Sequence, residues 1–222
     1  MGWFKSIIGL YSEKVVFRTG SQFNPVLEVV ENKNRLQLDT SHVNYSFGGL
    51  HKAFQELFIE MNLAEPGPKK VLILGFGAGS IASILQIEYK FNCSVTGIEI
   101  DPEVIALGRR FFRLDLLPDA TVIEEDAFVY MEQNRDKFDL VVVDLYLDME
   151  VPIRAETHEF AAQLRNALSE YGQLVFNKYV YNKTSGQSAE ELRKTLNKTF
   201  GNVKIYKTGH NQMNLMIVCE ND

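Results

Sequence analysis

Three glycines at alternate positions, Gly75, Gly77 and Gly79, follow an uninterrupted apolar run at residues 71–74 and precede a helix-like stretch at residues 81–90. An apolar run without polar alternation is typical of a parallel strand that is buried on both faces. Glycines after such a strand let the backbone turn and bring its amides close to a ligand, because no Cβ obstructs the approach. The spacing therefore predicts a nucleotide-binding loop, although a tight turn that binds nothing also demands glycine.

An acidic residue ends the next strand of this pattern. Glu99 follows the apolar stretch at residues 95–98, where a carboxylate can accept hydrogen bonds from the hydroxyl pair of a ribose. Glu99 can instead be a solvated acid at a strand end, but the glycine loop that precedes it favours the ribose ligand. We interpret Asp101 and Glu103 as helix-start acids that complement the helix dipole.

Two further carboxylates follow later strands. Asp126 comes after the strand predicted at residues 121–124, and it can cap the following helix, bind a ligand, or do both. Asp144 ends the most strongly β-branched strand, at residues 138–143. A carboxylate at the end of a buried strand is costly unless it has partners or a task, so Asp144 is the predicted catalytic residue.

Other polar and aromatic residues near strand ends are weaker candidates. Four of them can line a substrate pocket: Tyr146, Tyr179, Tyr181 and His158. Aromatic residues in such places, however, more often serve packing. We interpret His51 and His210 as ordinary polar residues.

Alternating strands and helices carry these residues from about residue 70 to residue 220. Such alternation predicts a doubly wound α/β sheet, in which right-handed crossovers bring the loops after the first four strands to one edge. Only six residues, 208–213, separate the last two strands, which is too few for a parallel crossover, so those two strands are predicted to be antiparallel. The predicted fold class is α/β, with a doubly wound, mostly parallel seven-stranded sheet.

A smaller β unit is predicted before this sheet. Short strand-like segments between residues 15 and 39, separated by turn residues, predict a small N-terminal antiparallel meander of three strands. Residues 42–46 are predicted to lead from the meander into a helix at residues 48–61.

The first residues carry an apolar face. Trp3, Ile7 and Tyr11 lie on one side of a predicted short helix, which either packs on the protein's own body or forms a subunit contact. We expect two units, residues 1–62 and residues 63–222, and a homodimer.

The composition limits the function classes. The formal charge of −6 and the isoelectric point near 5.3 argue against a nucleic-acid or anionic-membrane surface, since phosphate binding depends on clustered Lys and Arg. Cys93 and Cys219 stand without a CxxC motif or a histidine at ligand spacing, so neither zinc nor a disulfide framework is predicted. No stretch approaches the roughly 20 apolar residues of a membrane span. We expect a cytoplasmic protein without a metal.

The order of these motifs resembles the spermidine synthase-like branch of the class I S-adenosylmethionine-dependent methyltransferase superfamily. The similarity runs from about residue 36 to residue 219 and rests on these stretches: 36–39 (LQLD), 75–80 (GFGAGS), 99–105 (EIDPEVI), 125–127 (EDA) and 138–144 (FDLVVVD). The resemblance implies a Rossmann-like fold and S-adenosylmethionine, or its decarboxylated form, as the cofactor.

The same resemblance implies roles for the predicted site residues. The loop glycines lie under the methionyl part of the cofactor, and Asp144 lies beside the transferred group. Three side chains hold the adenosine: Glu99 binds the ribose, Ile100 lies against the adenine, and Asp126 accepts a hydrogen bond from the adenine amino group.

Three departures from the pattern of polyamine synthases remove acidic residues. Ala78 stands where those enzymes have an aspartate in the glycine loop. Leu147 stands where a second aspartate normally follows Asp144, and Asp148 comes one residue late. Residues 47–49, Phe-Gly-Gly, replace an Asp-Glu pair at the helix entry.

Three functions therefore remain open. The leading prediction is an S-adenosylmethionine-dependent methyltransferase with a small-molecule acceptor, for which an amine is one candidate. The alternative is a divergent polyamine aminopropyltransferase of the spermidine synthase type that uses decarboxylated S-adenosylmethionine, and the third is a non-catalytic adenosyl-ligand-binding or assembly protein. A nicotinamide-binding protein is disfavoured, because its third glycine belongs five positions after the first, where this chain has Ser80.

Overall fold

The computed structural model describes residues 13–63, 66–147 and 149–221. The predicted N-terminal helix with Trp3, Ile7 and Tyr11 lies outside these ranges, and so does Asp148. The division of the chain at residues 62 and 63 stays a prediction.

The N-terminal β unit is a four-stranded antiparallel sheet rather than a three-stranded meander. Its strands, in sheet order, are β1 (Lys14–Thr19), β2 (Leu27–Asn32), β3 (Arg35–Asp39) and β4 (Asn44–Phe47). The extra strand β4 covers residues that were predicted to lead into the helix, and Ser46 pairs with Leu38 of β3. Four residues that end at a glycine pair are too short for a clear alternating pattern, which is why the sequence did not reveal this strand.

The main sheet has seven strands, which confirms the predicted fold class. The strands are β5 (Lys70–Leu74), β6 (Ser94–Glu99), β7 (Ala120–Glu124), β8 (Phe138–Val143), β9 (Leu168–Tyr179), β10 (Val203–Thr208) and β11 (Asn214–Glu220). Their order across the sheet is β10-β11-β9-β8-β5-β6-β7, and β11 is antiparallel to both of its neighbours. The short connection between β10 and β11 therefore joins two antiparallel strands, as predicted.

Within the described ranges, six α-helices accompany the strands: α1 (Gly48–Glu60), α2 (Ser80–Ser83), α3 (Pro102–Phe111), α4 (Ala127–Gln133), α5 (His158–Ala167) and α6 (Lys183–Phe200). A π-helical turn, Ile84–Glu88, continues α2, so the helix predicted at residues 81–90 is not regular. Helix α6 begins at Lys183, because Asn182 and Ser185 form a capping box there. None of the helices in the described ranges is both long and apolar enough to cross a membrane.

Apolar residues fill both faces of the main sheet. In β5, Leu72 and Leu74 pack in the layer that contains α4, α5 and α6, whereas Val71 and Ile73 pack in the layer that contains α1 and α2. Side chains alternate between the two faces of a strand, so burial on both sides requires the uninterrupted apolar run seen in the sequence. This packing fixes the carboxyl end of β5 and the glycine loop that follows it.

Candidate active site

The carboxyl edge of the sheet joins the glycine loop to the ends of two neighbouring strands. The amides of Gly75 and Phe76 each donate to the carbonyl oxygen of Ile98 at 3.0 Å. On the other side, the amide of Asp144 donates to the carbonyl oxygen of Leu74 at 2.8 Å. The predicted loop and the predicted catalytic residue are therefore adjacent.

At position 75, both the backbone conformation and the available space require glycine. Its φ is +83°, and a Cβ built there would lie 2.2 Å from the carbonyl oxygen of Asp144. Only glycine adopts this backbone conformation without strain and also leaves room for the neighbouring chain. The close approach of the loop to the end of β8 thus depends on the glycine itself.

Glu99 is bonded to the loop rather than open to the surface. The residue is 2% exposed, and its Oε2 accepts from the amide of Gly77 at 2.8 Å while its Oε1 accepts from the amide of Asp101 at 3.0 Å. Burial raises the pKa of Glu99 to about 7, although the two amides favour the charged form. The Glu99 carboxylate, whose negative charge is unfavourable at this buried position, is therefore held at the end of β6 by hydrogen bonds from backbone amides.

Asp144 stands in a short polar network that spans three neighbouring strands. Its Oδ1 accepts from Nδ2 of Asn177 at 2.8 Å, and Oδ1 of Asn177 accepts from Nδ2 of Asn214 at 3.1 Å. Burial raises the pKa of Asp144 to about 7, and the hydrogen bond from Asn177 opposes the increase. Asp144 can therefore exchange a proton near neutral pH.

A cavity of about 220 Å³ opens beside this network. Three of the predicted site residues line it: Gly75, Gly77 and Asp144. The described lining does not include the other four, which are Gly79, Glu99, Ile100 and Asp126. The open space in this structure therefore reaches the predicted catalytic residue but not the side chains assigned to the adenosine.

Two of those four residues have visible structural tasks. Gly79 precedes α2 with φ of +94°, and a Cβ there would lie 3.2 Å from Leu114. Asp126 caps α4, because its Oδ1 accepts from the amides of Phe128 at 2.7 Å and Val129 at 3.1 Å. The capping interpretation of Asp126 is confirmed, and its contact with adenine stays a prediction.

Tyrosines form one wall of the cavity. Tyr146 and Tyr179 both line it, and the Tyr146 hydroxyl donates to the carbonyl oxygen of Asn177 at 3.1 Å and accepts from the amide of Tyr179 at 2.8 Å. Tyr181 stacks on Tyr179 with 5.8 Å between ring centroids. His158, in contrast, is exposed at the start of α5 and is not among the described lining residues.

The N-terminal sheet contributes residues that the sequence did not single out. Tyr45 and Ser46 of β4 line the cavity, and Ser46 Oγ accepts from the amide of Ala78 in the loop at 3.2 Å. Burial raises the pKa of Tyr45 well above its ordinary value, and the nearby charges of Glu99, Asp101 and Asp144 add to the increase. This sheet therefore closes one side of the site.

Asp101 attaches the N-terminal sheet to the site edge. Its Oδ1 accepts from the amide of Glu103, so Asp101 caps α3, in agreement with its predicted place at a helix start. Its Oδ2 accepts from the hydroxyl of Ser21 and from Nδ2 of Asn24, and the residue is fully buried. Because these partners lie far away in the sequence, the local pattern indicated only a helix start.

Of the two histidines that were interpreted as ordinary polar residues, one lines the cavity and the other contacts a residue that lines it. His210 lines the cavity. The ring of His51 connects α1 to the π-helical turn, with Nδ1 at 2.8 Å from Ser80 Oγ and Nε2 at 2.6 Å from Glu88 Oε1. Among the residues that the structure describes, no group of His, Cys, Asp or Glu side chains is arranged to hold a metal ion.

Two curated relatives of this chain are named as aminopropyltransferases. The chain is 30% identical over 155 residues to a probable polyamine aminopropyl transferase of Bifidobacterium longum, an alignment that covers 68% of this chain and 34% of the relative. It is 28% identical over 168 residues to a polyamine aminopropyltransferase of Vibrio vulnificus, with coverage of 72% and 56%. The chain thus spans between a third and just over half of the length of these relatives.

Solved structures support the fold. A spermidine synthase from Thermotoga maritima superimposes with a TM-score of 0.70 at 17% sequence identity, covering 94% of this chain and 73% of that one. Human methyltransferase-like protein 13 superimposes with a TM-score of 0.65 at 17% identity. At these identities the similarity concerns the architecture alone, and it agrees with the predicted Rossmann-like methyltransferase fold.

The leading functional prediction, methyl transfer, is wrong in the light of these comparisons. The relatives named above favour the alternative prediction, aminopropyl transfer. A family model described as the spermine/spermidine synthase domain matches residues 51–217, which is most of the chain. The match includes the glycine loop, the tip of β6 and the end of β8, whose geometry forms the site. The chain therefore belongs to the spermine/spermidine synthase domain family.

Proposed function

We propose that this chain transfers an aminopropyl group from decarboxylated S-adenosylmethionine to an amine. Membership of the family and the names of the curated relatives support this proposal. The observation that carries it is the position of Asp144, a carboxylate that lines the cavity directly beside the glycine loop and is held by Asn177.

An adenosyl donor fits the residues at the loop. Each oxygen of Glu99 accepts one backbone hydrogen bond and keeps a second lone pair, so the carboxylate can still accept from both ribose hydroxyls. Gly75 and Gly77 present bare backbone to the cavity. Because Glu99 is 2% exposed, the side chains that cover it must move when a ribose binds. Ile100 and Asp126 are the residues that we assign to the adenine.

Asp144 is the residue that we assign to the acceptor. When bound, the sulfonium donor supplies an activated carbon: the amine lone pair forms the new C–N bond, the C–S bond breaks, and its electron pair stays on sulfur as a thioether. The attacking nitrogen then carries a surplus proton. Asp144 can accept that proton, because its pKa of about 7 is suited to proton exchange near neutral pH. Asn177 orients the carboxylate toward the cavity.

The assay for this function measures the thioether product. The full chain, decarboxylated S-adenosylmethionine and a mixture of small primary amines are expected to release 5′-methylthioadenosine, which chromatography separates from the donor. The release is expected to require the amines, so a reaction without them is the control. A chain that releases no 5′-methylthioadenosine in excess of that control would contradict the proposal.

Replacing Glu99 with glutamine tests the donor site. The variant is expected to bind 5′-methylthioadenosine about ten-fold or more weakly, because hydrogen bonds to a charged group contribute about 1.5 to 3 kcal/mol. Isothermal calorimetry measures the affinity. Glu124→Gln is the matched control, since Glu124 pairs in register with Glu99 at the end of β7 but is exposed. Equal affinities for the two variants would remove Glu99 from the site.

The predicted homodimer and the predicted cytoplasmic location stay predictions. The apolar face assigned to subunit contact lies in residues 1–12, outside the described ranges.

A further inference from the structure

We propose that Ser80 binds a primary ammonium group of a substrate through its hydroxyl oxygen, and that His51 and Glu88 position it for this role. This inference rests on the proposed function and adds a specificity-determining residue to it. It follows from a chain of hydrogen bonds that leads from a half-exposed carboxylate to the wall of the cavity.

Ser80 lies on the cavity wall directly after the glycine loop. It is the first residue of α2 and is 2% exposed, and it lines the cavity together with Gly75 and Gly77 of the loop. Its Oγ lies 2.8 Å from Nδ1 of His51. A hydroxyl has one hydrogen and two lone pairs, so this contact leaves Ser80 able to form a further hydrogen bond with a ligand.

Glu88 determines which ring nitrogen of His51 carries the hydrogen. Nε2 of His51 lies 2.6 Å from Oε1 of Glu88, and a carboxylate accepts hydrogen bonds but cannot donate them. Nε2 therefore carries the hydrogen. In the neutral ring the lone pair is then on Nδ1, and this nitrogen accepts from the hydroxyl of Ser80.

Two further contacts hold this hydrogen-bond chain in place. Nε2 of Gln55 donates to Oε2 of Glu88 at 2.6 Å, so both oxygens of that carboxylate are bonded. The ring of His51 stacks on the ring of Phe47, with 5.4 Å between the centroids and 14° between the planes. The ring of His51 is therefore held both at its two nitrogens and on one of its faces.

The direction of these hydrogen bonds makes Ser80 an acceptor toward the cavity. Its one hydrogen is donated to His51, so its oxygen has only lone pairs to offer a ligand. An ammonium group has hydrogens to donate and no lone pair, and its hydrogen bonds are strengthened by its charge. A carboxylate, in contrast, would face the Ser80 oxygen with no hydrogen between them. The cavity wall at Ser80 thus favours an ammonium over a carboxylate.

Both substrates of the proposed reaction can supply such a group. Decarboxylated S-adenosylmethionine ends in a primary amine on its propyl chain, and a diamine acceptor has a second amino group besides the one that reacts. The chemistry that Ser80 recognises is the same in the two cases. Binding of the donor and kinetics with the acceptor tell them apart.

Replacing Ser80 with alanine removes the acceptor oxygen. If Ser80 binds the donor, calorimetry is expected to show about ten-fold weaker binding of decarboxylated S-adenosylmethionine, because a hydrogen bond to a charged group is lost. Binding of 5′-methylthioadenosine, which lacks the aminopropyl group, is expected to be unchanged, and this also shows that the variant is folded. Ser83→Ala is the matched control, at a serine of the same helix that is not among the described lining residues.

If Ser80 binds the acceptor instead, the effect is expected in the kinetics. KM for putrescine is then expected to increase about ten-fold in Ser80→Ala at unchanged kcat, because an interaction made equally in the ground state and the transition state is lost. KM for butylamine, which has the same chain length and no second amino group, is expected to be unchanged. Ser83→Ala is expected to leave both values unchanged.

A double-mutant cycle tests whether Glu88 acts through Ser80. The amide in Glu88→Gln can donate as well as accept, so it no longer fixes the hydrogen of His51 on Nε2. This substitution is expected to weaken the binding that depends on Ser80 by about three-fold or more, and to have no further effect in a chain that already carries Ser80→Ala. An equal effect of Glu88→Gln in both chains would overturn the positioning role.

The outcomes separate the inference from the function. Unchanged donor affinity together with unchanged KM values in Ser80→Ala would overturn the inference and leave aminopropyl transfer intact. An equal loss of binding in Ser83→Ala would also overturn it, because the loss would then come from the helix and not from the Ser80 hydroxyl. A chain that releases no 5′-methylthioadenosine with any amine would contradict the proposed function instead. Calorimetry needs no turnover, so it would still decide whether Ser80 binds the ammonium group.

Discussion

Replacing Asp144 with asparagine is expected to lower kcat/KM for aminopropyl transfer by a factor on the order of 100 to 10,000, the range for loss of a positioned acid or base. Asparagine keeps the shape of the side chain and an oxygen that can accept from Asn177, but it cannot take a proton at neutral pH. Steady-state release of 5′-methylthioadenosine measures the change. Asp115→Asn, a substitution at an exposed acid that is not among the described lining residues, is the control.

The pH dependence gives this prediction a second readout. Burial raises the pKa of Asp144 to about 7, so the group is protonated below that pH and cannot act as a base there. In the unmodified chain, the plot of log kcat/KM against pH is expected to change slope near pH 7. This change of slope is expected to be absent in Asp144→Asn, in which the pH dependence follows the deprotonation of the amine alone. A variant that keeps more than half of the activity and the same pH profile would remove Asp144 from catalysis.

Stability shows whether the Asp144 variant folds. A carboxyl group whose folded pKa is raised stabilises the fold below its unfolded pKa, and this contribution is lost as the pH increases through the folded pKa. For Asp144 the loss is complete above about pH 7. The Tm of Asp144→Asn minus the Tm of the unmodified chain is therefore expected to be larger at pH 8 than at pH 5. This result would show that the variant is folded and lacks the buried charge.

Gly75→Ala is expected to be the most destabilising single-methyl substitution in the loop. The new Cβ would lie 2.2 Å from the carbonyl oxygen of Asp144, and φ of +83° is unfavourable for alanine. The overlap is between the new Cβ and the backbone of Asp144, so no side-chain rotation relieves it. The free energy of unfolding is expected to decrease by about 3 kcal/mol or more, a size that belongs to backbone strain and steric overlap. Denaturant titration measures it.

Gly49→Ala is the matched control at the same cavity. Its nearest contact would be 3.9 Å away, its φ is not positive, and the residue lies in the first turn of α1. Alanine is a better helix former than glycine, so this variant is expected to be unchanged or more stable by up to about 1 kcal/mol. Equal stabilities for the two alanine variants would show that the loop does not hold β8 in the way the contacts indicate.

The parts of the fold that could be predicted are those determined by residues that lie close together in the sequence. The apolar run of β5 and the glycines after it indicated the central strand and its loop, and six residues before β11 were too few for a parallel connection. Asp101 shows the limit of such local evidence. Asp101 caps α3 through an amide only two residues away, whereas its hydrogen bonds to Ser21 and Asn24 join residues that are 80 and 77 positions apart in the sequence.

The candidate site was predicted in part for the same reason. Asp144 ends a strand and was recognisable, but Asn177 lies 33 residues later in a buried stretch. The signal available in the sequence was an amide that follows the apolar run Leu174–Phe176, and it pointed to a site only once β9 was known to lie beside β8. His51 was similar, because its partners come from a helix that the local pattern did not place against α1.

The error about the transferred group has a chemical origin. The missing acids at Ala78 and Leu147 indicated a site that handles positive charge differently, and methyl transfer was inferred from them. The bond that breaks, however, is a carbon–sulfonium bond in methyl and aminopropyl transfer alike, so missing acids around it do not decide which group is transferred. Their absence therefore says more about the substrate than about the reaction.

The most direct measurement is a competition between two donors in one reaction. The full chain receives a mixture of small primary amines with equal amounts of S-adenosylmethionine and decarboxylated S-adenosylmethionine, and mass spectrometry identifies the amine product. We predict the aminopropyl adduct, accompanied by 5′-methylthioadenosine and lost in Asp144→Asn. A methyl adduct accompanied by S-adenosylhomocysteine, or no adduct with any of the amines, would contradict aminopropyl transfer by this chain.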